Sequence, residues 1–484
     1  TEGPGETSRR MRVAFFTLGC KLNQSESEAL ASSFSSRGLF LVPHTEEADI
    51  YIFNTCTVTS MAEQKARRVI RKVAREHPEA VVIITGCYAQ LEPGEARSLA
   101  ENIVVVGQRD KHLILDLPEC LRNAAWRGGT ATMDAVIRCI RILREGQSAP
   151  PEASGEQDGP FAFAADTYSF HSRAFLKIQD GCDRMCAYCR VPLARGPSVS
   201  LDSAEVAGRA LRLEEAGYRE IVLTGVNISI YRDSEGTALS DLIQMLTGRL
   251  TQVRLRLSSL EPEMIGRKLV DAASHPSVCP HFHIPVQSGS DSVLASVGRP
   301  YKAERVLKAV EMLRSIKEDP FIAADIIVGL PGEREEDFEA TRRLVKECGF
   351  SYLHVFPYSP RPGTRLYETH GSFVPERIAG ERAKILKELS DELHEAYLER
   401  WKGRTVTMAL EKPIEAGVWS GLSENYLHLA VSGVPEAASA AGMDGGTDAS
   451  SGPDAVRGSL CSAVIRSGTE NAGEIPAADF VSFL

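Results

Sequence analysis

Three cysteines in one short run, Cys182, Cys186 and Cys189, have the spacing CxxxCxxC and follow a predicted strand at Ala174–Ile178. Such a loop brings three thiolates together, and soft thiolate ligands select an iron–sulfur cluster or zinc. A structural zinc site needs a fourth ligand, and the closest histidine, His171, precedes the strand. The spacing therefore favours an iron–sulfur cluster in which three protein ligands leave one iron open.

Three further cysteines, Cys20, Cys56 and Cys87, are far apart in the sequence, yet each ends a strand-like apolar run. Because the carboxyl ends of parallel strands meet at one edge of a sheet, these thiols can converge there. The alternative is three unrelated buried cysteines. The repeated placement at strand ends predicts a second three-cysteine cluster, again with an open iron.

Polar groups also end the later predicted strands, at Thr224–Asn227, Ser258–Glu261, Pro285–Ser290 and Asp325–Glu333. Together with the aromatic Tyr188 before the last cysteine, they resemble the radical S-adenosylmethionine enzymes. The resemblance implies that the open iron chelates S-adenosylmethionine, which one electron from the cluster then splits to give a 5′-deoxyadenosyl radical. It also implies cofactor contacts at Tyr188, Gly225, Asn227, Ser259, Glu261, Gln287 and Ser288.

The two cysteine sets, in this order, resemble the methylthiotransferase family over about residues 11–434. Its motifs here are Gly19–Glu26, Asn54–Thr57, Thr85–Gln90 and the C-terminal fragment Gly421–Leu427. The resemblance implies two 4Fe–4S clusters, so that all six cysteines are metal ligands and catalytic. The auxiliary cluster would hold a sulfur that one S-adenosylmethionine methylates. A second S-adenosylmethionine would supply the radical. No side chain would act as a general base.

Three substrate branches of this family compete. The segments Thr17–Gln24 and His354–Thr364 most resemble the branch that modifies C2 of N6-threonylcarbamoyladenosine beside the tRNA anticodon. The alternatives are N6-isopentenyladenosine in tRNA and an aspartate of a small-subunit ribosomal protein. Arg361 is a candidate for reading the N6 substituent. A non-catalytic RNA-binding or electron-transfer protein would instead leave S-adenosylmethionine uncleaved.

An RNA substrate requires phosphate contacts, and the reaction requires an electron donor such as a flavodoxin or ferredoxin. One predicted helix, directly after the Cys56 loop, carries four basic residues on one face by their spacing of three, four and seven: Lys65, Arg68, Lys72 and Arg75. The alternative is an ordinary solvated helix face. Its nearness to a cysteine-bearing strand end favours contact with the tRNA backbone.

Alternating strands and helices must position these groups. In the N-terminal region the predicted strands are Arg12–Phe16, Asp49–Phe53, Ala80–Thr85 and Asn102–Val106. Their alternation with helices predicts a doubly wound parallel α/β sheet. Six later strands favour a partial (β/α)6 barrel over a closed eightfold one; they are Ala174–Ile178, Glu220–Leu223, Val253–Leu257, His281–Pro285, Ala323–Val328 and Tyr352–Val355. The family resemblance adds a small C-terminal β-barrel of the RNA-binding TRAM type.

The expected organisation is a methylthiotransferase domain at 11–125, a linker at 126–167, a radical S-adenosylmethionine domain at 168–400 and a TRAM-like domain at 401–484. A stretch rich in Ala, Gly, Ser and Asp, residues 435–458, is predicted to be a disordered insertion that interrupts the last domain. We expect His281 and His283, which share one strand face, to pack in the core or the cofactor pocket rather than bind metal.

The composition is that of an ordinary globular protein of 484 residues with a net charge of −10, which excludes a uniformly basic nucleic-acid binder. No apolar run is long enough to span a membrane, and the polar start lacks the core of a signal peptide. We therefore expect a cytoplasmic protein with reduced cysteines. The cysteines without ligand spacing are interpreted as small buried hydrophobes; they are Cys120, Cys139, Cys279, Cys348 and Cys461.

Overall fold

The structure is a computed structural model that describes residues 11–123, 133–146, 159–165, 167–369, 373–435, 457–466 and 475–484. Residues 1–10 and nearly all of the predicted disordered insertion lie outside the described residues. Three α/β or β units follow one another along the chain, so the predicted fold class is confirmed. None of the helices in the described ranges is long and apolar enough to cross a membrane.

Five strands of the described N-terminal region form a parallel sheet in the order β2-β1-β3-β4-β5. The strands are β1 (Arg12–Thr17), β2 (Phe40–Val42), β3 (Ile50–Thr55), β4 (Val81–Gly86) and β5 (Ile103–Val105). The helices around them are α1 (Lys21–Ser36), α2 (Ser60–Glu76), α3 (Cys87–Leu91), α4 (Pro93–Arg97) and α5 (Leu113–Asn123). Successive residues of β3, Ile52 and Phe53, enter different apolar cores, because both faces of a doubly wound sheet are covered.

The segment expected to be a linker at 126–167 contains helix α6 (Met133–Glu145), which packs against α5. Val136, Cys139 and Ile140 are buried in the N-terminal core, and Phe163 joins the same core. Their spacing of three and four puts them on one helix face, so burial of that face explains why the helix docks here. Helix α6 and Phe163 therefore extend the N-terminal core, whereas Phe161 of the same segment packs against the core of the central unit.

The central unit is built on six parallel strands of the described chain, in two groups of order β6-β9-β10 and β11-β12-β13. They are β6 (Ala174–Lys177), β9 (Glu220–Thr224), β10 (Arg254–Leu257), β11 (His281–Gln287), β12 (Phe321–Val328) and β13 (Tyr352–Pro357). The amide of Leu260 donates to the carbonyl of His283 at 2.8 Å and links the groups into an open barrel. Two short strands, β7 (Gln179–Asp180) and β8 (Val199–Ser200), lie beside it.

The core of this unit includes residues of α8 (Ser203–Glu215), α9 (Leu239–Arg249), α10 (Arg267–Ala273), α12 (Ala303–Arg314) and α13 (Glu335–Cys348). The short helix α7 (Val191–Arg195) lies against α3, and α11 (Asp291–Ser296) and α14 (Arg365–Thr369) share a smaller apolar cluster. Apolar residues such as Ile284 and Ile326 pack in the core of this unit. Because side chains alternate along a strand, the residues between, such as His283 and Asp325, lie on the opposite face, toward the barrel interior. We call this interior the lumen, and its wall is polar.

Helix α15 (Glu376–Trp401) leads to a closed C-terminal barrel of order β14-β15-β16-β18-β17. Its described strands are β14 (Thr405–Glu415), β15 (Val418–Ser423), β16 (His428–Ser432), β17 (Leu460–Ile465) and β18 (Ala477–Phe483). The last two strands follow the interruption in the sequence and still pair with β14 and β16. Tyr397 and Trp401 share the core of this barrel with Phe321, at the start of β12.

Candidate active site

The first cysteine set lies at one edge of the N-terminal sheet. Cys20 follows β1, Cys56 follows β3 and Cys87 begins α3 directly after β4, and these three strands are neighbours. Burial raises the pKa of the Cys56 thiol to about 12, with further contributions from Cys20 and Cys87. The pKa of Cys87 is also raised, chiefly by burial. The fold therefore brings these three sequence-distant thiols together.

Residues of the surrounding motifs hold this edge in shape. Asn23 donates to Asn54 Oδ1 at 3.1 Å and to the carbonyl of Thr55 at 3.2 Å, and the Cys20 thiol donates to Asn23 Oδ1 at 3.3 Å. Gly86 has a φ of +94°, and a Cβ there would collide with the Thr55 backbone. A glycine is thus required at the point where the chain turns to place Cys87.

The second cysteine set occupies the loop between β7 and α7. The amide of Cys182 donates to the carbonyl of Gly196 at 3.1 Å, and the amide of Ala187 donates to that of Val297 at 2.9 Å. The pKa of Cys189 is raised to about 12 by burial first and then by Cys186 and Cys182. Three thiols in mutual electrostatic contact again lie on one side of a strand end.

The loops that carry the two cysteine sets contact each other across the boundary between the N-terminal and central units. Arg190, next to Cys189, donates to Thr57 Oγ1 at 3.3 Å, and Thr57 is next to Cys56. Arg361 also donates to Thr57, at 3.0 Å, and forms an ion pair with the buried Glu63. Both arginines are buried, so this contact is an internal joint of the molecule.

Arg361 was the sequence candidate for reading the N6 substituent. The residue is 4% exposed, and its guanidinium forms an ion pair with Glu63. Its positive charge is therefore already compensated within the protein. Its position indicates a different task, since it fixes the loop that carries Cys56 to the segment that follows β13 of the central barrel.

A second buried network surrounds Glu26 on α1. Its carboxylate accepts from Lys111 at 2.5 Å, from Lys177 at 3.0 Å and from Arg195 at 2.9 Å. Burial alone would raise the pKa of Glu26, but the charges of Arg195 and Lys111 outweigh it and hold the pKa well below the usual value. The same two cations oppose the effect of burial on the pKa of Cys87. They create a positive environment for anionic thiolates.

The residues expected to contact S-adenosylmethionine lie around the second cysteine set. Arg299 donates to Tyr188 Oη at 2.7 Å and to Glu261 at 2.7 Å. The amide of Asn227 donates to Gln179 Oε1 at 2.8 Å, and the amide nitrogen of the Asn227 side chain is buried without a partner among the described residues. A Cβ at Gly225 would lie 2.8 Å from the Gln179 carbonyl oxygen, so only glycine fits there.

Three other predicted cofactor residues differ in their surroundings. Gln287 has a φ of +67°, a conformation that is strained for glutamine and typical of functional sites. Ser259 lies 3.0 Å from His283 Nδ1 at the lumen wall. Ser288 is buried, and its hydroxyl lies 3.3 Å from that of Thr341 on α13, which indicates a supporting role in the turn.

A polar layer lines the lumen below these residues. His283 Nε2 lies 2.8 Å from Asp325 Oδ1, and the ring centroids of His283 and His354 are 5.2 Å apart. The side chains of His283 and Asp325 keep 18% and 23% of their surface exposed, which shows that the protein does not fill the lumen here. His281, one layer lower, is buried and stacks on Tyr426 at 4.0 Å.

Both cysteine sets fit four-iron clusters by the chemistry of their donors. Each offers three sulfurs and no fourth thiol among the described residues nearby, and burial raises the pKa of Cys56 in the first set and of Cys189 in the second. Bound metal would supply the positive charge that makes all three thiolates stable.

Family models match two parts of the chain. A model described as the radical SAM superfamily matches residues 176–345, and one described as uncharacterized protein family UPF0004 matches residues 12–107. The threonylcarbamoyladenosine tRNA methylthiotransferase MtaB of Treponema pallidum is 39% identical over 459 residues, covering 87% of this chain and 94% of the relative. The chain belongs to the radical S-adenosylmethionine methylthiotransferase family. The predicted enzyme class is thereby confirmed.

A second relative of this methylthiotransferase, the MtaB of Bacillus subtilis, is 34% identical and covers 88% of this chain and 91% of its own length. Among solved structures, the radical S-adenosylmethionine methyltransferase TsrM of Kitasatospora setae has a TM-score of 0.51 at 12% identity, covering 74% of this chain and 75% of its own. That likeness concerns the fold alone. As a radical S-adenosylmethionine enzyme, the methylthiotransferase uses a 4Fe–4S cluster and S-adenosylmethionine.

Several residues at the site of this methylthiotransferase were not singled out from the sequence. They are Lys21, Glu26, Arg190, Arg195, Arg299 and Tyr426. Lys21 and Glu26 lie within the Gly19–Glu26 motif, and their place in that motif is the signal that could have identified them. The contacts of Arg299 and Tyr426 join distant parts of the chain, which no local pattern reveals.

Proposed function

We propose that this methylthiotransferase acts on tRNA and inserts a methylthio group at C2 of N6-threonylcarbamoyladenosine beside the anticodon. The observation that carries the proposal is that the loops of two three-cysteine sets are joined by the Arg190–Thr57 contact. A sulfur-inserting enzyme needs a radical source and a sulfur carrier at one cavity. The names of the relatives, threonylcarbamoyladenosine tRNA methylthiotransferases, support the choice of substrate.

In this proposal, Cys182, Cys186 and Cys189 hold the cluster that binds S-adenosylmethionine, and the first cysteine set holds an auxiliary 4Fe–4S cluster. When bound, these groups supply the radical and the methylthio group, with electrons from a donor such as a flavodoxin or ferredoxin. The protein's own residues position them. Arg299 orients Tyr188 and Glu261, and the buried joint at Thr57 holds the loops of the two cysteine sets together.

The polar lumen favours the threonylcarbamoyl substrate over the isopentenyl one. His283, Asp325 and His354 form a polar wall that is still partly exposed, and an apolar isopentenyl chain against it would displace hydrating water without replacing its hydrogen bonds. A substituent that carries a carboxylate, a hydroxyl and a carbonyl can satisfy them instead.

The test uses enzyme in which both clusters have been reconstituted. It is incubated with a reductant, S-adenosylmethionine and tRNA bearing N6-threonylcarbamoyladenosine, and the nucleosides are then analysed by mass spectrometry. We expect a nucleoside in which a methylthio group replaces one hydrogen of the base. The Cys56→Ala variant should lose this product, whereas Cys348→Ala, a buried cysteine outside both sets, should keep it. Product on isopentenyladenosine tRNA or on the ribosomal protein alone would overturn the proposed substrate.

A further inference from the structure

Lys21 is the first residue of α1 and directly follows Cys20. Among the described residues, its half-buried ammonium has neither a hydrogen-bond acceptor nor a carboxylate partner within bonding distance. The ammonium lies over the ring of Tyr426, 5.5 Å from the ring centroid. The side chain therefore extends from the cysteine edge of the N-terminal sheet toward the lumen of the central barrel.

This placement is unfavourable in the protein alone. The N-terminus of a helix carries partial positive charge, and the first turn of α1 contains no acidic residue to offset a cation there. A second cation, Arg256, lies 5.3 Å from the same Tyr426 ring. A half-buried ammonium without an anionic partner costs stability, so an anion that arrives with a ligand would relieve the cost.

Lys21 does not serve as the main cation of the nearby cysteine set. Two other cations lie beside that cysteine edge, since Arg195 donates to Asn23 Oδ1 at 3.1 Å and Lys111 donates to Asn54 Oδ1 at 3.0 Å. Both of these are already fixed by Glu26. The ammonium of Lys21 is turned instead toward the aromatic ring supplied by the C-terminal barrel.

Tyr426 is held in the lumen by an unusual loop between β15 and β16. Its φ of +67° lies in the left-handed region, which is strained for tyrosine. Arg254 donates to the carbonyl of Leu422 at 3.2 Å, and Arg256 donates to those of Ser423 and Glu424, both at 3.0 Å. Strain that is maintained by so many bonds is characteristic of a functional position.

The Tyr426 ring closes the lumen from below. It stacks on His281, with the ring centroids 4.0 Å apart. The layer of His283, Asp325 and His354 lies on the same face, two residues further along β11. That layer is incompletely covered by protein, so a space with a polar wall remains beside it. Lys21 provides this space with an unpaired positive charge.

We propose that Lys21 and Tyr426 form the subsite for the N6 substituent of the substrate, in which the ammonium pairs with the carboxylate and the ring is the base of the pocket. This rests on the proposed function, because the threonylcarbamoyl group supplies the carboxylate. His354 is placed to meet its hydroxyl or carbonyl group, whereas both ring nitrogens of His283 are engaged by Ser259 and Asp325. The C-terminal barrel thus contributes a residue to substrate selection in addition to any role on the RNA backbone.

The test compares two anticodon stem–loops that differ only in N6-threonylcarbamoyl or plain adenosine, bound to the fully reconstituted enzyme and measured anaerobically by fluorescence anisotropy. Wild type should prefer the modified stem–loop. Lys21→Met should reduce that preference by roughly tenfold to a hundredfold, the usual effect of losing a charge-assisted hydrogen bond. Lys21→Arg should restore most of it, and Lys308→Met, an exposed lysine on α12, is the matched control.

Tyr426→Leu should also lower the preference, while Tyr426→Phe should retain most of it because the ring persists. Iron content is measured for every variant. A Lys21→Met enzyme that keeps the full preference, or that loses about four irons, overturns the subsite, since the lysine would then be irrelevant to the substituent or would serve the cluster. Equal affinity of wild type for both stem–loops would overturn the proposed substrate together with the subsite.

Discussion

Glu220, at the start of β9, shows how one buried carboxylate connects two units of the molecule. Arg256 contacts its two oxygens at 2.6 and 3.0 Å, and Arg254 contacts it at 2.7 Å. The same two arginines donate to the backbone that presents Tyr426. Burial alone would raise the pKa of Glu220, but Arg256 and Arg254 outweigh burial and hold the pKa well below its ordinary value.

Replacing Glu220 by Gln should lower the unfolding midpoint by roughly 5 °C or more at pH 7, because breaking a buried ion pair leaves the arginines uncompensated. A carboxylate with a depressed folded-state pKa stabilises the fold above its unfolded pKa of 4.5, and this stabilisation is lost as the pH falls below that value. The difference from wild type should therefore shrink in acid, as followed by calorimetry.

Glu381→Gln provides the control for this comparison. Glu381 and its partner Arg377 are 58% and 76% exposed on α15, so water screens the pair. Its removal should shift the midpoint by less than about 2 °C. Equal shifts for the two variants, or a Glu220→Gln shift that does not change with pH, would show that the Glu220 network does not stabilise the fold in this way.

At the scale of elements, helix α2 separates a buried face from a basic one. Thr59 caps its start by accepting from the Ala62 amide at 3.1 Å, and Ala66, Ile70 and Val73 are buried against the sheet. The four basic residues of the opposite face, Lys65, Arg68, Lys72 and Arg75, are exposed, and none has an ion-pair partner within the described residues. We propose that this face contacts the tRNA backbone.

The Arg68→Glu/Lys72→Glu variant should bind tRNA more weakly, because two phosphate contacts become repulsive. The slope of log affinity against log salt concentration should decrease by about two, since each lost contact reduces the slope by about one. Titrations at several salt concentrations measure this. Lys384→Glu/Lys387→Glu on α15 changes the net charge equally and should leave the slope intact; an unchanged slope in the α2 variant would exclude the patch.

The strands that carry the site were predictable because each is a short apolar run ending in a motif. The sequence located β1, β3 and β4 to within about two residues, together with the six strands of the central barrel. It missed β2, a three-residue edge strand whose length gives little periodic signal. It also left β17 and β18 unassigned, because a long low-complexity stretch separates them from the strands they pair with.

The cysteines were predictable from residue type and spacing, whereas their partners were not. Arg190 reaches Thr57 and Arg195 reaches Glu26 only after the N-terminal and central units have docked. Such contacts depend on tertiary packing, so an arginine in these positions is indistinguishable in sequence from a solvated one. The same reason explains why the sequence suggests a substrate contact for Arg361, whereas the structure pairs this residue with Glu63.

At the scale of the whole molecule, three units surround one space. The N-terminal sheet contributes Cys20, Cys56 and Cys87 from above, the central barrel contributes the second cysteine set and the polar wall, and the C-terminal barrel closes the lumen with Tyr426. Buried charge networks at Glu26 and Glu63 fix the first two units to each other. We propose that this arrangement carries two separate clusters.

Iron and sulfide counting after anaerobic reconstitution tests that claim most directly, with wild type compared to the Cys182→Ala/Cys186→Ala/Cys189→Ala variant. Two independent three-cysteine sites predict about eight irons in wild type and about four in the variant. About four irons in wild type and none in the variant would contradict the claim, because Cys20, Cys56 and Cys87 would then hold no cluster.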